Sequence, residues 1–264
     1  MPGTGNYYIK DHPFFKLGKA PAKRDKRNIK LAAVLYKVPP PVPARWDFDL
    51  DFAKGPIPTP VFANDWLGDC VIAGRAHMTI RLEYFEQKGK ILSITDTQVI
   101  NEYKHEGGSM VEGQQGLNML DSLNSWRKEG WKVSRHRYKI HAFVELERSR
   151  TNDAKVAVRY LNGAYIGLAL PNCFQDQVQR GLPWDIVPGP DGKPNPRNGH
   201  CVYICGYTEK GPVCVTWGRK QQMTWKFLTT CCDEAYAIVD ERDRFVKNSP
   251  VDLDKLQAIL DQIR

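Results

Sequence analysis

A chain of 264 residues with 42% hydrophobic and 11% aromatic side chains is long enough for one large domain or two lobes sharing a core, and too apolar for wholesale disorder. Its formal net charge of +8 sits at one end: residues 1–45 hold ten Lys or Arg against only Asp11 and Asp25, and the remainder balances. No apolar run is long enough to span a bilayer, and MPGTGNYYIKDHPFF lacks the apolar centre of a secretory signal, so no membrane partner is expected. A cytoplasmic setting with reduced thiols is expected for the seven cysteines.

In chain order, residues 1–38 read as a basic, irregular arm. It ends in PPPVPARWD, a polyproline-like strut that suits neither helix nor sheet interior. The folded core is expected to begin near Ala44, dividing the chain into an arm, 1–40, and a domain, 41–264. The arm has no Arg-Gly repeats and no regularly interleaved aromatics, so nucleic acid is not expected as a partner. A solvated tail is the plainest reading. The arm is also placed to meet an acidic partner or to lie across a cleft as a pro-segment.

CVIAGRAHMTIRLEYFEQK, residues 70–88, reads as a helix stopped by Gly89, apolar on most sides in its first half. A second helix is expected over 93–106, starting near Ser93 or Thr95. A third, over 116–129, places Leu117, Leu120, Leu123 and Trp126 on one face before Gly130. The second half changes character. A strand is expected over 138–147, a short helix over 152–162, and strands over 164–170, 200–207, 212–217 and 235–239. Residues 183–198, rich in Pro, Gly, Asp and Asn, read as a long loop. The fold class is α+β, with a helical lobe at about 64–135 and an antiparallel, β-rich lobe at about 136–245.

Two segments carry chemistry. In NDWLGDC, residues 64–70, Cys70 stands where a glycine-containing loop turns into a helix. A thiolate there faces unpaired backbone N–H groups and the positive end of the helix dipole, which lowers its pKa and activates it. Gly68 permits the tight turn. The Asn64 amide, beside the Cys70 N–H, offers donors for an oxyanion. In GHCVYICGY, residues 199–207, strand alternation puts His200, Val202 and Ile204 on one face and Cys201, Tyr203 and Cys205 on the other. His200 follows the long loop, where an imidazole can serve a cleft as general base and then as general acid.

The order of these pieces resembles the papain-like cysteine peptidases, over roughly residues 40–240. Trp46-Asp47, TPVFAN at 59–64 and Gly68-Asp69-Cys70 are similar to that family's approach to its nucleophile. GLNMLDSLNSW, AYIGLAL, GHCVYICGY and VTWG resemble its later half. The character is that of a divergent bacterial or phage-type branch. The resemblance implies a two-lobe fold, an acyl-enzyme on Cys70, His200 as base, and cleavage of peptide or isopeptide bonds, with a peptide or protein as substrate partner. It also implies Gly68, Gly199 and Trp217 as substrate-side positions, Trp217 walling the cleft near His200. No cofactor or metal is implied.

The sequence departs from the family at three places. Asn64 stands for the family's longer Gln, Val71 for a Trp, and the Asn that orients the His falls near Val215 or Thr216. Val215 cannot hold an imidazole; Thr216 offers a hydroxyl, and Gln221 or Gln222 just beyond are alternatives. Other groups have plainer readings. His77 lies about 10 Å from Cys70 along the helix, too far for a base, and reads as a core histidine. His105, His136 and His141 read as surface or structural. Asp69 reads as the helix N-cap. The later cysteines lack a CxxC pair and read as buried thiols. The rival to an enzyme is a catalytically idle papain-like domain used in binding or assembly. A metal- or nucleic-acid-binding module is a further one.

Overall fold

The computed structural model describes residues 6–9, 12–36, 41–111, 116–240 and 250–263. The chain opens with a hairpin of β1 (Asn6–Ile9) and β2 (His12–Lys16), then a one-turn helix, α1 (Leu31–Val34). After β3 (Trp46–Asp47) and a π turn over Phe48–Phe52 come three helices, α2 (Cys70–Glu86), α3 (Asp96–His105) and α4 (Met119–Lys128). The β-rich half runs β4 (Trp131–Val133), β5 (His136–Tyr138), β6 (Ala142–Glu145), α5 (Thr151–Tyr160), β7 (Ala164–Ala169), α6 (Phe174–Gln179), β8 (Gly199–Tyr207), β9 (Pro212–Thr216), β10 (Arg219–Gln222), α7 (Trp225–Cys231) and β11 (Cys232–Val239). Helix α8 (Leu253–Gln262) closes it.

One antiparallel sheet, in the order β10-β9-β8-β7-β11-β6, organises the molecule, with β3 added to the far end of β8 through Trp46↔Tyr207 and Asp47↔Gly206. Both faces are covered, which is why AYIGLAL and HCVYICGY show no polar alternation. Cys201, Tyr203 and Cys205 join the core beneath α2, α3 and α4, with Tyr165, Tyr236 and Ile238 from neighbouring strands. Val202, Ile204, Ile166 and Leu168 point into the other core, shared with α5, α7, α8 and the N-terminal segment.

Helix α2 is buried from Cys70 through Glu83. It carries two buried guanidinium groups, each neutralised, as burial of charge demands. Arg75 pairs with Glu102 at 3.1 Å and Glu106 at 2.6 Å. Arg81 takes Asp49 in a fork, 2.9 Å on each arm, and Lys220 closes on Asp47 and Asp49. Asp47 accepts from the Asp49 and Leu50 backbone N–H groups. The Trp46-Asp47 pair thus fixes the approach to α2 by hydrogen bonding as well as by packing.

Helix α3 starts where a Thr95–Gln98 capping box sets it, and α4 starts at an Asn118 cap. The strand expected over 138–147 is the shorter β6, while Tyr138 belongs to β5, which pairs with β4 in a separate hairpin. The short elements α6, β10 and α7 were not anticipated, nor was α8, although Leu253, Leu256 and Leu260 stand there at helical spacing.

The solvated-tail reading of the arm fails for its described part. Leu31 and Val34 are fully buried, and Leu35 bridges Val251 beside α8. Counting charge over the whole arm hid the few apolar residues that dock it. Pro39 and Pro40 of the strut lie outside the described residues. No described helix is long and apolar enough to cross a membrane.

Candidate active site

Cys70 is the first residue of α2, and the sheet fixes its sulfur. Tyr165 on β7 donates its hydroxyl to the Val71 carbonyl, tying the helix start to the strand. The backbone of Cys201 and that of Gly18 act on the thiol to lower its pKa. Cys201 follows His200 directly on β8, so the helix start and the head of that strand adjoin. His200 is fully buried. Its Nε2 lies 2.7 Å from Thr216 Oγ1 on β9, and its ring stacks on Trp217 at 4.4 Å between centroids and 19° between planes. Nδ1 has no hydrogen-bond partner among the described residues. Trp217 is itself held by Phe174, stacked at 6.1 Å, and by Trp184, edge-on at 6.0 Å. Its φ of +45°, followed by Gly218 at +77°, turns the indole back over the imidazole.

Residues 16–20 run through this site. Lys16 N–H donates to the Asn64 carbonyl at 2.9 Å, and Trp217 Nε1 donates to the Lys16 carbonyl at 3.2 Å. Lys19 N–H donates to the Gly199 carbonyl at 3.1 Å, and Ala20 N–H to the Leu117 carbonyl at 2.9 Å. Three glycines leave room for the segment. A Cβ at Gly116 would lie 2.1 Å from the Gly18 carbonyl oxygen. One at Gly199 would lie 2.2 Å from the Lys19 carbonyl oxygen, and one at Gly68 would lie 3.2 Å from that of Leu17. Gly68 and Gly199, expected on the substrate side, both pack against this segment, and so does Gly116, which nothing local distinguishes from a loop glycine. The Lys19 side chain is wholly buried, its ammonium 2.9 Å from Asp233 and 3.0 Å from Glu234.

No family model matches the sequence and no curated protein matches it. Solved structures do match. Xylellain, a cysteine protease from Xylella fastidiosa, aligns with a TM-score of 0.64 at 15% identity, covering 89% of this chain and 100% of its own. Procathepsin B S9 of Trypanosoma congolense gives 0.57 at 12%, covering 90% of this chain and 86% of its own. Procathepsin L 3 of Tenebrio molitor gives 0.55 at 13%, covering 84% and 75%. The fold is papain-like.

In this papain-like frame the open question of the group facing His200 resolves by strand parity. Val215 points into the helix-side core, 1% exposed, while Thr216 faces the imidazole. Gln221 donates to the Leu182 and Gln222 carbonyls, and Gln222 to those of Gly211, Pro212 and Met223, so neither is directed at His200. The Asn64 amide donates to the Leu67 carbonyl at 3.0 Å, inside its own loop.

Two expectations are corrected. Asp69 occupies the N-cap position but makes no side-chain cap; both carboxylate oxygens are buried without a partner among the described residues. Burial pushes this carboxyl well above the ordinary carboxylate range. The Cys70 thiol is likewise not depressed. Burial, at 1% exposure, pushes it up to about 12 against the lowering effect of the Cys201 and Gly18 backbone. Desolvation under the arm outweighs the helix dipole. Burial also pulls His200 down to about 3, so thiol and imidazole are both neutral while residues 16–20 are seated.

The remaining candidates take their plainer readings. His77 is buried and packs on Phe62 at 4.9 Å. His105 is exposed beside Glu129. All seven cysteines are free. Among the described residues, the one grouping of possible metal ligands is Glu83, Glu86 and Asp240, which includes no cysteine.

Proposed function

We propose that the chain is a cysteine peptidase of papain-like mechanism, held latent by its own N-terminal segment. The observation that carries this reading is the arrangement around His200. One ring nitrogen is anchored on Thr216, one face lies against Trp217, and the other nitrogen is left unpartnered at the strand head adjoining the start of α2. In the reaction Nδ1 takes the Cys70 proton as sulfur adds to the scissile carbonyl, then passes it to the leaving amine; water frees the acyl group by the reverse sequence. The Cys70 backbone N–H, unpaired at a helix start, receives the oxyanion. Asn64 adds a second donor on turning from the Leu67 carbonyl.

Latency is supported by polarity as well as by cover. The leaving amine must meet the imidazole, so a substrate's C-terminal part belongs on the Trp217 side of Cys70 and its N-terminal, acyl part on the Leu117 side. The segment runs the other way, with Lys16 at Trp217, Gly18 at Cys70 and Ala20 at Leu117. It presents its peptide bonds reversed and can occupy the cleft without being turned over. Several papain-like structures that match this chain were themselves solved as proforms. An idle domain used in binding is the rival, favoured by the raised Cys70 thiol.

The deciding experiment measures hydrolysis of a fluorogenic peptide library before and after limited proteolysis of the arm, in wild type, Cys70→Ala and His200→Ala. Turnover that appears on processing and is lost in both variants supports the peptidase. Processed protein that remains inert establishes the idle domain.

A further inference from the structure

Among the described lysines of the basic segment only Lys19 is buried, and its surroundings are specific. Its ammonium has three acceptors, Asp233 at 2.9 Å, Glu234 at 3.0 Å and the Ala20 carbonyl at 3.0 Å. That matches the three donors of a primary ammonium. Glu234 is fixed from behind by the Tyr236 hydroxyl at 3.2 Å, and its side chain is 4% exposed. The floor is Gly167, in the middle of the buried strand β7. A Cβ there would lie 2.6 Å from Lys19 Cε, 2.7 Å from Asp233 Oδ1 and 2.8 Å from Glu234 Cγ. A glycine inside a strand sacrifices packing and rigidity, and here it makes the space the lysine stem fills. Buried carboxylates need a cation, and when the segment leaves, this pocket is left acidic and open to the cleft.

Resting on the peptidase reading above, we propose that Asp233, Glu234 and Gly167 form a lysine-selecting pocket of the cleft. It reads the substrate residue immediately N-terminal to the one that gives its carbonyl to Cys70. Lys19 is the occupant that the pocket releases when the segment departs. The same ion pair therefore sets both latency and substrate choice, and peptides carrying an uncharged side chain at that position compete poorly with the segment.

The test uses the full chain with Lys19→Met, which keeps the stem and removes the charge. Alkylation of Cys70 by iodoacetamide is followed residue by residue by mass spectrometry. Lys19→Met is expected to be alkylated at least ~tenfold faster than wild type, and Lys19→Arg to stay near wild type. Gly167→Ala, which fills the pocket, is expected to match Lys19→Met. Unchanged alkylation in Lys19→Met overturns the proposal.

Two blocked pentapeptides, Ala-Lys-Gly-Leu-Phe and Ala-Leu-Gly-Leu-Phe, are then offered to Lys19→Met. The lysine peptide is expected to protect Cys70 at a concentration roughly tenfold lower, and Glu234→Gln in the same background to erase the difference. Equal protection, or none by either peptide, overturns the pocket. Hydrolysis is read in parallel by chromatography and separates the two claims. Both peptides cleaved at the same rate would retain the peptidase and reject the pocket. Selective protection by the lysine peptide without cleavage would retain the pocket and reject the peptidase.

Discussion

The Nε2 of His200 and the Oγ1 of Thr216 stand 2.7 Å apart, on adjacent ends of β8 and β9, under the indole of Trp217. A hydroxyl both donates and accepts, so it holds the ring in place while leaving the tautomer free to respond to the other nitrogen. An amide at that position imposes a tautomer only by the way it is turned. Orientation of the imidazole in this chain is shared between one hydrogen bond and one stacked face.

Thr216→Val keeps the shape and removes the bond. A buried ring nitrogen then has no partner, at a cost of about 1–3 kcal/mol in folding stability. Turnover by the processed enzyme is expected to fall by roughly tenfold or more through kcat, with KM little changed, because the loss falls on the proton carrier and not on the cleft. Thr216→Ser is expected to recover most of it. Steady-state kinetics of the three proteins check this; equal kcat in all three would assign no orienting role to the hydroxyl.

What the sequence reveals of this site follows from how local each relationship is. Cys70 and His200 were legible because each sits in a short string, NDWLGDC and GHCVYICGY, whose residue types suit the chemistry. Thr216 was half legible: it stood beside Val215, with Gln221 and Gln222 as alternatives, and only the pairing of β9 with β8 and of β10 with β9 tells which of them faces the ring. A place for the arm across a cleft followed from its position alone, but the contacts that seat it were hidden. Lys19 and Glu234 are 215 positions apart, and a basic residue in a basic segment carries no mark of being buried. The Cys70 pKa was misjudged for the same reason, since the group that desolvates it comes from the far end of the chain.

Acid stability should report two neutral histidines. Burial holds His200 at about 3 and His77 well below its ordinary 6.5. Below pH 6.5 the unfolded chain binds a proton at each site that the folded chain refuses until far lower pH, so stability falls as pH drops. Each histidine contributes a slope of about 1.4 kcal/mol per pH unit. His77→Phe replaces a ring already packed on Phe62. Urea unfolding between pH 7 and 4.5 is expected to lose one proton's worth of slope in that variant. An unchanged slope would mean that His77 is protonated in the fold.

Asp49→Asn tests the network beneath α2. The wild-type carboxyl is raised by burial but lowered further by Arg81 and Lys220, and its net shift is downward. A depressed folded pKa gives stability that is present above the ordinary value of 3.8 and lost as pH falls through the folded one. Removing the charge leaves Arg81 buried without its counter-ion, at a cost of about 3–5 kcal/mol near neutrality. Chemical denaturation at pH 7 checks the magnitude. The gap between variant and wild type is expected to narrow in strong acid, where the wild type surrenders the same interaction.

Gly18→Val should unseat the segment without touching either candidate catalytic residue. A Cβ at Gly18 lies 1.9 Å from the Gly68 carbonyl oxygen; this is backbone against backbone, and no rotamer relieves it. The segment must lift, and water then reaches Cys70. Its thiol, held up to about 12 by burial, should move down toward and below the ordinary value near 8.5, because the helix start and His200 remain. Alkylation by iodoacetamide at pH 7 is expected to accelerate by about tenfold or more, with the midpoint of its pH profile shifted several units toward acid. Gly55→Ala, where an added Cβ meets nothing within 4 Å, is the control and should behave as wild type. Circular dichroism separates lifting of one segment from global unfolding. A folded Gly18→Val protein alkylated at the wild-type rate, with an unmoved midpoint, would show that something other than the segment shields the sulfur.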